Sequence, residues 1–296
     1  MNTAHPRLLN GLSDLAPDID GFVLDLWGVM HDGVQPYPGA VDCLEQIQKA
    51  GKRAVFLSNA PRRVQAVIDH LTHLGVPREL YHDVLSSGEA AWRAIRDQSD
   101  EFVRSLGRNC LHIGPDRDLT MLEGGLVSRQ TTAEGASFAM ITGAHSADSV
   151  VADYQDILDA MRQRNLPAIC ANPDLEVIRG GKREICAGAI AARYEEMGGE
   201  VRYYGKPHAN VLEEAVGLLG VDKSRAVMVG DSFRTDIAAA NAAGVGGVFV
   251  ARGIYAERLM IEPGKQPKAE AVALMATEFG VTVDHVLPGL IWQADQ

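Results

Sequence analysis

No apolar run in this chain approaches the 18 or more residues that a membrane-spanning helix needs; "AAGVGGVFVA" (242–251) is about as long as they become. No membrane partner is expected. Cysteine is scarce and scattered, at Cys43, Cys110, Cys170 and Cys186, without a CxxC pair. That argues against structural zinc and for reduced thiols in a cytoplasmic protein. The opening "MNTAHPRLLNGLSDL" lacks the basic segment and apolar core of a secretory leader. Positive charge is in deficit: 28 Lys and Arg face 39 Asp and Glu, a net −11. This balance argues against nucleic acid or an anionic membrane as the partner, while leaving room for a local positive pocket. There is no internal repeat and no low-complexity segment.

What is present is the composition of an ordinary globular protein, 46% apolar and 23% charged over 296 residues, enough for a large core in one or two domains. Short β-rich runs alternate with helical stretches. "GFVLDLW", "RAVFLSN" and "DVLSS" read as strands, with helices at "GAVDCLEQIQKAG" and "EAAWRAIRDQ". Val64, Val67, Ile68, Leu71 and Leu74 give a further helix an apolar stripe closed by Gly75. After about residue 100 the texture loosens. "NCLHIG" and "SFAMITG" read as strands around a Gly/Ser/Thr-rich loop, and Gly180-Gly181 separates two short runs able to pair. The regular rhythm returns near residue 187, through "VRYYGKP", "RAVMVGD" and "VGGVFV". Strand–helix alternation implies right-handed crossovers and a mostly parallel sheet buried on both faces. The expected architecture is α/β: a Rossmann-like core from 1–100 and 187–296, with an inserted α/β domain at 101–186.

Ligands of open parallel sheets bind outside the carboxyl ends of the strands. "GFVLDLWGVMHDG" (21–33) ends its strand at Asp25. "FLSNA" ends in Ser58 and Asn59, "YYGKP" supplies Lys206, and "VMVGDS" supplies Asp231, with Asp236 five residues on. Each alone has an ordinary reading: turn former for Asp231, helix cap for Asp236, a turn into a Pro-led helix for Ser58-Asn59, a solvated lysine for Lys206. Together they are a set. Three carboxylates near one point repel unless a cation sits among them, and Mg²⁺ suits few carboxylates plus water and phosphate oxygens. Ser58, Lys206 and turn N–H groups suit a phosphate.

The ordered set Asp25…Ser58-Asn59…Gly205-Lys206-Pro207…Gly230-Asp231-Ser232-x-x-Thr235-Asp236 resembles the haloacid dehalogenase superfamily. The insert with "ANPD" (171–174) near its end is similar to the class IIA branch, which contains p-nitrophenyl-phosphatase-like and sugar- or nucleotide-phosphate phosphatases. The resemblance spans nearly the whole chain. It implies a Rossmann-like core under a C2-type cap and Mg²⁺-dependent hydrolysis of a small phosphorylated metabolite. By the family pattern Asp25 is the nucleophile that forms an aspartyl-phosphate. Ser58 and the Asn59 backbone hold phosphate oxygens, and Lys206 neutralises nucleophile and phosphoryl group. Asp25, Asp231, Asp236 and the backbone carbonyl of Trp27 serve the metal. Asn172 and Asp174 line the cleft from the cap. A cap of this class often mediates a homodimer.

Trp27 departs from that pattern. Phosphatases of the family place there a second Asp that protonates the leaving alkoxide and then activates water. Indole does neither, and losing a general acid/base costs about 10²–10⁴ in rate. Three readings follow: a phosphatase with a substituted acid, a phosphate-binding protein with little turnover, and a metal-independent dehalogenase, whose members carry an aromatic at this position. Retention of Asp231 and Asp236 argues against the third. His31 and Asp32, next on the loop, are candidates for the substituted acid, although "HDG" also reads as a plain turn. His112, Asp116 and Arg117 of "HIGPDRD" read chiefly as a cap loop, with contact to substrate as the alternative. Arg62 and Arg63 read chiefly as helix-surface charges, with contact to an anionic substrate as the alternative, and His70 and His73 as a solvated helix face rather than a metal site.

Overall fold

The unbroken apolar runs become buried strands of two parallel sheets. The computed structural model describes residues 5–261 and 265–293; the first four residues of the opening segment lie outside these. The larger sheet has seven parallel strands in the order Arg7–Leu8, His285–Leu287, Gly246–Val250, Ala226–Gly230, Gly21–Leu24, Arg53–Ser58, Asp83–Ser86. Gly21–Leu24 is buried throughout. Alternation sends Phe22 and Leu24 into one layer, with Leu44 and Phe56, and Val23 into the other, with Leu212 and Met228. From this central strand the chain runs outward to one side and later returns on the opposite side at Ala226–Gly230. The reversal opens a crevice at the strand tips between them.

The smaller sheet has five parallel strands in the order Val201–Tyr203, Ala168–Cys170, Phe138–Ile141, Asn109–Ile113, Ser128–Gln130. The runs beside Gly180 and Gly181 do pair, as an antiparallel hairpin of Glu176–Arg179 with Lys182–Ile185. Both turn glycines have positive φ, 52° and 82°, the backbone a tight hairpin demands. The α/β class with parallel sheets is thus as expected, and none of the described helices is long and apolar enough to cross a membrane.

The expected boundary at 186/187 is corrected. Val201–Tyr203 pairs with Ala168–Cys170 in the smaller sheet, and Ile190, Ala191 and Tyr194 of the helix Ala187–Glu196 fill its core. The inserted unit therefore runs through residue 203. Helix and strand have the same texture on both sides of residue 186, so periodicity carries no boundary there; the pairing partner decides it. Lys206 accordingly does not cap a core strand. It sits on the link from the smaller sheet back to the core helix Ala209–Leu219.

Candidate active site

Strand register brings the site together. Leu24 pairs with Val229 on one side and Phe56 on the other, and the Asp25 N–H continues the ladder to the Val229 carbonyl at 2.9 Å. The residues that follow these partners, Asp25, Asp231 and Ser58, therefore emerge at one edge of the sheet. A tight π-helical turn, Phe233–Ile237, then folds Asp236 inward. Ser232 caps it, its Oγ accepting the Thr235 N–H at 3.3 Å, and Asp236 Oδ2 accepts the Ser232 N–H at 3.0 Å.

Among the described residues Lys206 is the only cation paired within this group. Its Nζ donates to Asp25 Oδ1 at 2.7 Å and to the Leu57 carbonyl at 2.9 Å. It lies 2.7 Å from Asp236 Oδ1, off the hydrogen-bonding angle, so that contact is electrostatic. Lys206 is 1% exposed and Asp236 0%. Asp25, Asp231 and Asp236 each bring a carboxylate oxygen within 4.8 Å of the others. One lysine against three carboxylates leaves two negative charges in a buried space. The consequences appear in the ionisation of each group. Burial, helped by the Asp236 charge and opposed by Lys206, raises the Asp25 pKa to about 7. Burial and the charges of Asp25 and Asp236 push Asp231 well above the carboxylate range. Burial alone would lower Lys206, but Asp236 and Asp25 outweigh it and its pKa rises. An arrangement of hard oxygen donors two charges short of neutrality fits a divalent cation such as Mg²⁺.

Backbone shape reserves this space. Gly28 has φ 77°, and a Cβ there would lie 1.9 Å from Asp231 Oδ2; a Cβ on Gly253 would come equally close. Gly28→Ala is therefore expected to cost about 1–2 kcal/mol for the left-handed backbone alone and to displace the Asp231 carboxylate. Melting with and without MgCl₂ checks this: the variant should melt lower and lose most of the cation-induced rise.

Asn59 ties the core loop to the cap. Its Nδ2 donates to Asp174 Oδ1 at 2.9 Å and to the Lys206 carbonyl at 3.2 Å, while its Oδ1 accepts the Lys206 N–H at 2.8 Å. Gly205 makes this approach feasible, since a Cβ there would stand 2.4 Å from Asn59 Oδ1. Ser58 is buried, its Oγ accepting the Ala60 N–H at 3.2 Å. The cap loop holds its own shape: Asn172 Oδ1 accepts the Asp174 N–H at 2.9 Å, and Arg234 donates to the Pro173 carbonyl at 2.7 Å. Burial raises the Asp174 pKa above the usual carboxylate value.

Two cavities meet at this point, of about 240 and 140 Å³. The smaller is lined by Asp25 and Asp231, the larger by Asn59 and cap residues, and Trp27, Val177 and Asp174 stand in the wall of both. The Trp27 ring is fixed. Arg179 lies 4.6 Å over it, His31 meets it edge-on at 5.0 Å, and Gly33 leaves no room for a Cβ beside it, at 2.2 Å from the indole.

The remaining candidates separate. His31 is fully buried, its Nδ1 accepting the Gly33 N–H at 3.0 Å, and burial lowers its pKa to about 3. It lines only the larger cavity. Asp32 Oδ1 accepts the N–H groups of Val34 and Gln35, both at 2.9 Å, closing the turn. Arg62 is not a solvated residue: it pairs with buried Asp118 at 3.1 Å. Arg63 pairs with Glu89 at 2.6 Å and lies 3.5 Å over Trp92. His73 is exposed, but His70 is partly buried against His31 and lines the larger cavity. Arg117 lines it too, whereas Asp116 is exposed and His112 is bound to Thr142 at 2.8 Å. The pairings of Asp118 and Glu184 with arginines, and the Trp27–Arg179–Gly33 packing, are legible only in three dimensions. The one sequence signal was the glycine closing "HDG".

Fold and site together define a parallel-sheet α/β protein with a buried carboxylate–lysine centre beneath an inserted cap. Comparison with known proteins places it further. Residues 19–244 match the family described as haloacid dehalogenase-like hydrolase. The chain is 29% identical to a haloacid dehalogenase-like hydrolase structure from Brucella suis, with a TM-score of 0.81 over 96% of this chain and 100% of that one. It is 24% identical to 4-nitrophenylphosphatase of Schizosaccharomyces pombe over 82% of this chain and 87% of that protein. A glycerol phosphate phosphatase from Mycobacterium tuberculosis, solved in complex with calcium, matches at 25% identity and TM-score 0.60, over 86% of this chain and 73% of that one. The chain belongs to the haloacid dehalogenase-like hydrolase family.

Proposed function

We propose that the protein is a Mg²⁺-dependent phosphatase of small phosphate monoesters, such as sugar or nucleotide phosphates, acting through an aspartyl-phosphate at Asp25. The observation that carries the reading is the buried centre in which Lys206 holds one oxygen of Asp25 at 2.7 Å while Asp231 and Asp236 leave a double negative charge. Lys206 orients the nucleophile, occupying Oδ1 and leaving Oδ2 to attack phosphorus. Ser58 and the Asn59 backbone hold phosphate oxygens. Asp25, Asp231, Asp236 and the Trp27 carbonyl hold the cation; among the described residues no donor bonds that carbonyl. When bound, Mg²⁺ supplies charge neutralisation for the phosphoryl group, the main demand of phosphoryl transfer. The cap, with Asn172 and Asp174 over the strand tips, restricts the substrate to small metabolites. A cytoplasmic location and a cap-mediated homodimer belong to the same reading.

The 4-nitrophenylphosphatase and glycerol phosphate phosphatase relatives support this reaction class. A second reading is favoured by the fixed Trp27 ring: a phosphate-binding protein with little turnover. Phosphate release over a panel of phosphometabolites, with Mg²⁺ and with EDTA, separates them. The phosphatase releases phosphate only with Mg²⁺. A silent wild type beside an active Trp27→Asp variant establishes the binding protein instead.

A further inference from the structure

The indole at Trp27 leaves the leaving-group proton without a carrier, so the other proton-carrying groups of the cavity walls are the candidates: His70 and His145 line only the larger cavity, and Glu176 is paired with Arg183. His31 has one nitrogen engaged by Gly33, is buried, and lines only the cavity away from Asp25. Asp32 is spent on its turn. Asp118 is committed to Arg62 at 3.1 Å, and Glu184 to Arg179 at 3.3 Å. Asp174 differs from them in its place and in having no ion-pair partner among the described residues. It stands where the two cavities join, beside Trp27, and one of its oxygens takes the Asn59 amide at 2.9 Å. No arginine or lysine is paired with its carboxyl group among the described residues. Its loop is rigid: the Asp174 N–H is held by Asn172 and its carbonyl by the Gly188 N–H at 3.1 Å. A Cβ on Gly188 would lie 2.4 Å from the Pro173 carbonyl, so the helix Ala187–Glu196 starts hard against this loop.

Resting on the phosphatase reading, we propose that Asp174, delivered by the cap to the junction beside Trp27, is the proton carrier of the reaction. In the first step an Asp25 oxygen bonds to phosphorus, the bond from phosphorus to the ester oxygen breaks, and the Asp174 carboxyl proton passes to the departing alkoxide. In the second, water attacks the same phosphorus and gives a proton to the Asp174 carboxylate. The bond between phosphorus and the Asp25 oxygen breaks, inorganic phosphate leaves, and both carboxyl groups return to their starting states. A buried carboxyl without an ion-pair partner, on which burial outweighs the pull of Lys206, suits such exchange. The acid thus arrives with the cap rather than from the strand that carries the nucleophile, which couples proton transfer to cap position.

The test uses the full chain with Mg²⁺ and two esters, p-nitrophenyl phosphate, whose phenolate leaves without a proton, and glycerol phosphate, whose alkoxide needs one. Asp174→Asn keeps an acceptor for the Asn59 amide and removes the proton. It is expected to slow glycerol phosphate turnover by about 10²–10⁴ while leaving the first-turnover burst of p-nitrophenolate within a few-fold of wild type. Asp174→Glu should retain more of the alkyl-ester rate than Asp174→Asn at matched melting temperature. Equal losses on both esters would reduce Asp174 to a positioning residue and overturn the proposal, as would an unchanged glycerol phosphate rate. A wild type that turns over both esters but ignores Asp174→Asn overturns the Asp174 role alone. A wild type silent on both overturns the phosphatase reading and the role with it.

Discussion

Asp25→Asn is expected to abolish phosphate release, by roughly 10⁴–10⁶, the scale on which removal of a covalent nucleophile acts. The amide keeps the shape of the side chain and an acceptor for Lys206, so the loss should fall on chemistry rather than folding. Stability supplies the control. Burial and the Asp236 charge raise the Asp25 pKa to about 7 in the absence of a cation, so the folded state favours the neutral form. An uncharged isostere should therefore melt no lower than wild type at pH 8 without divalent cation, and higher if relief of repulsion outweighs the lost pairing with Lys206. Quenched-flow trapping of phosphate on the protein should find label on wild type and none on the variant. Persistence of release in Asp25→Asn would remove the nucleophile from the reading. Lys206→Met is the harsher change. It leaves Asp25 and Asp236 buried without the lysine that pairs with both, and breaking such a buried pairing costs about 3–5 kcal/mol. A melting curve should show that loss beside the loss of activity.

The sequence carried the parts of this molecule whose physics is local. Parallel strands buried on both faces must be continuously apolar, and Phe22, Val23, Phe56 and Met228 sat in such runs. Gly180-Gly181 announced its hairpin because only that backbone closes a two-residue turn. Site residues at the strand tips could be aligned because strand ends are where such ligands bind. What could not be read was set by partners distant in the chain. The strand Val201–Tyr203 looks like any core strand until its neighbour is seen to be Ala168–Cys170. Arg7–Leu8 and His285–Leu287, of two and three residues, are too short to show a period and form the sheet edge only through their pairing. Arg62 has the look of a helix-surface charge, yet its place is fixed by Asp118, 56 residues away. Asp174 was visible as part of "ANPD", but its position at the meeting of two cavities depends on how the cap closes on Trp27.

Chelation of divalent cations is expected to bring turnover to background and to lower the melting temperature, and the second effect should depend on pH in a stated direction. Asp25 and Asp231 have folded-state values raised above their unfolded ones. Between about pH 4 and 7 the cation-free native state therefore binds more protons than the unfolded state, and its stability falls as pH rises through that window. This is the reverse of the usual salt-bridged carboxylate, because desolvation and like charge outweigh Lys206 at Asp25 and the Ile254 N–H at Asp231. A divalent cation competes for the same oxygens and removes the penalty. It should add little at pH 5, where protons already neutralise the site, and most above pH 7. At a hundredfold excess over Kd, binding to the native state alone adds about 2.7 kcal/mol, a rise of roughly 4–5 °C for a protein of this size. Thermal melts at pH 5 and pH 7.5, with EDTA and with MgCl₂, measure the four corners of this cycle. The Mg²⁺ increment at pH 7.5 should exceed that at pH 5, and Asp231→Asn should flatten both. An increment that is equal at the two pH values, or that survives Asp231→Asn, would move the cation away from the three carboxylates. It would then leave the double charge beneath the cap without a counterion.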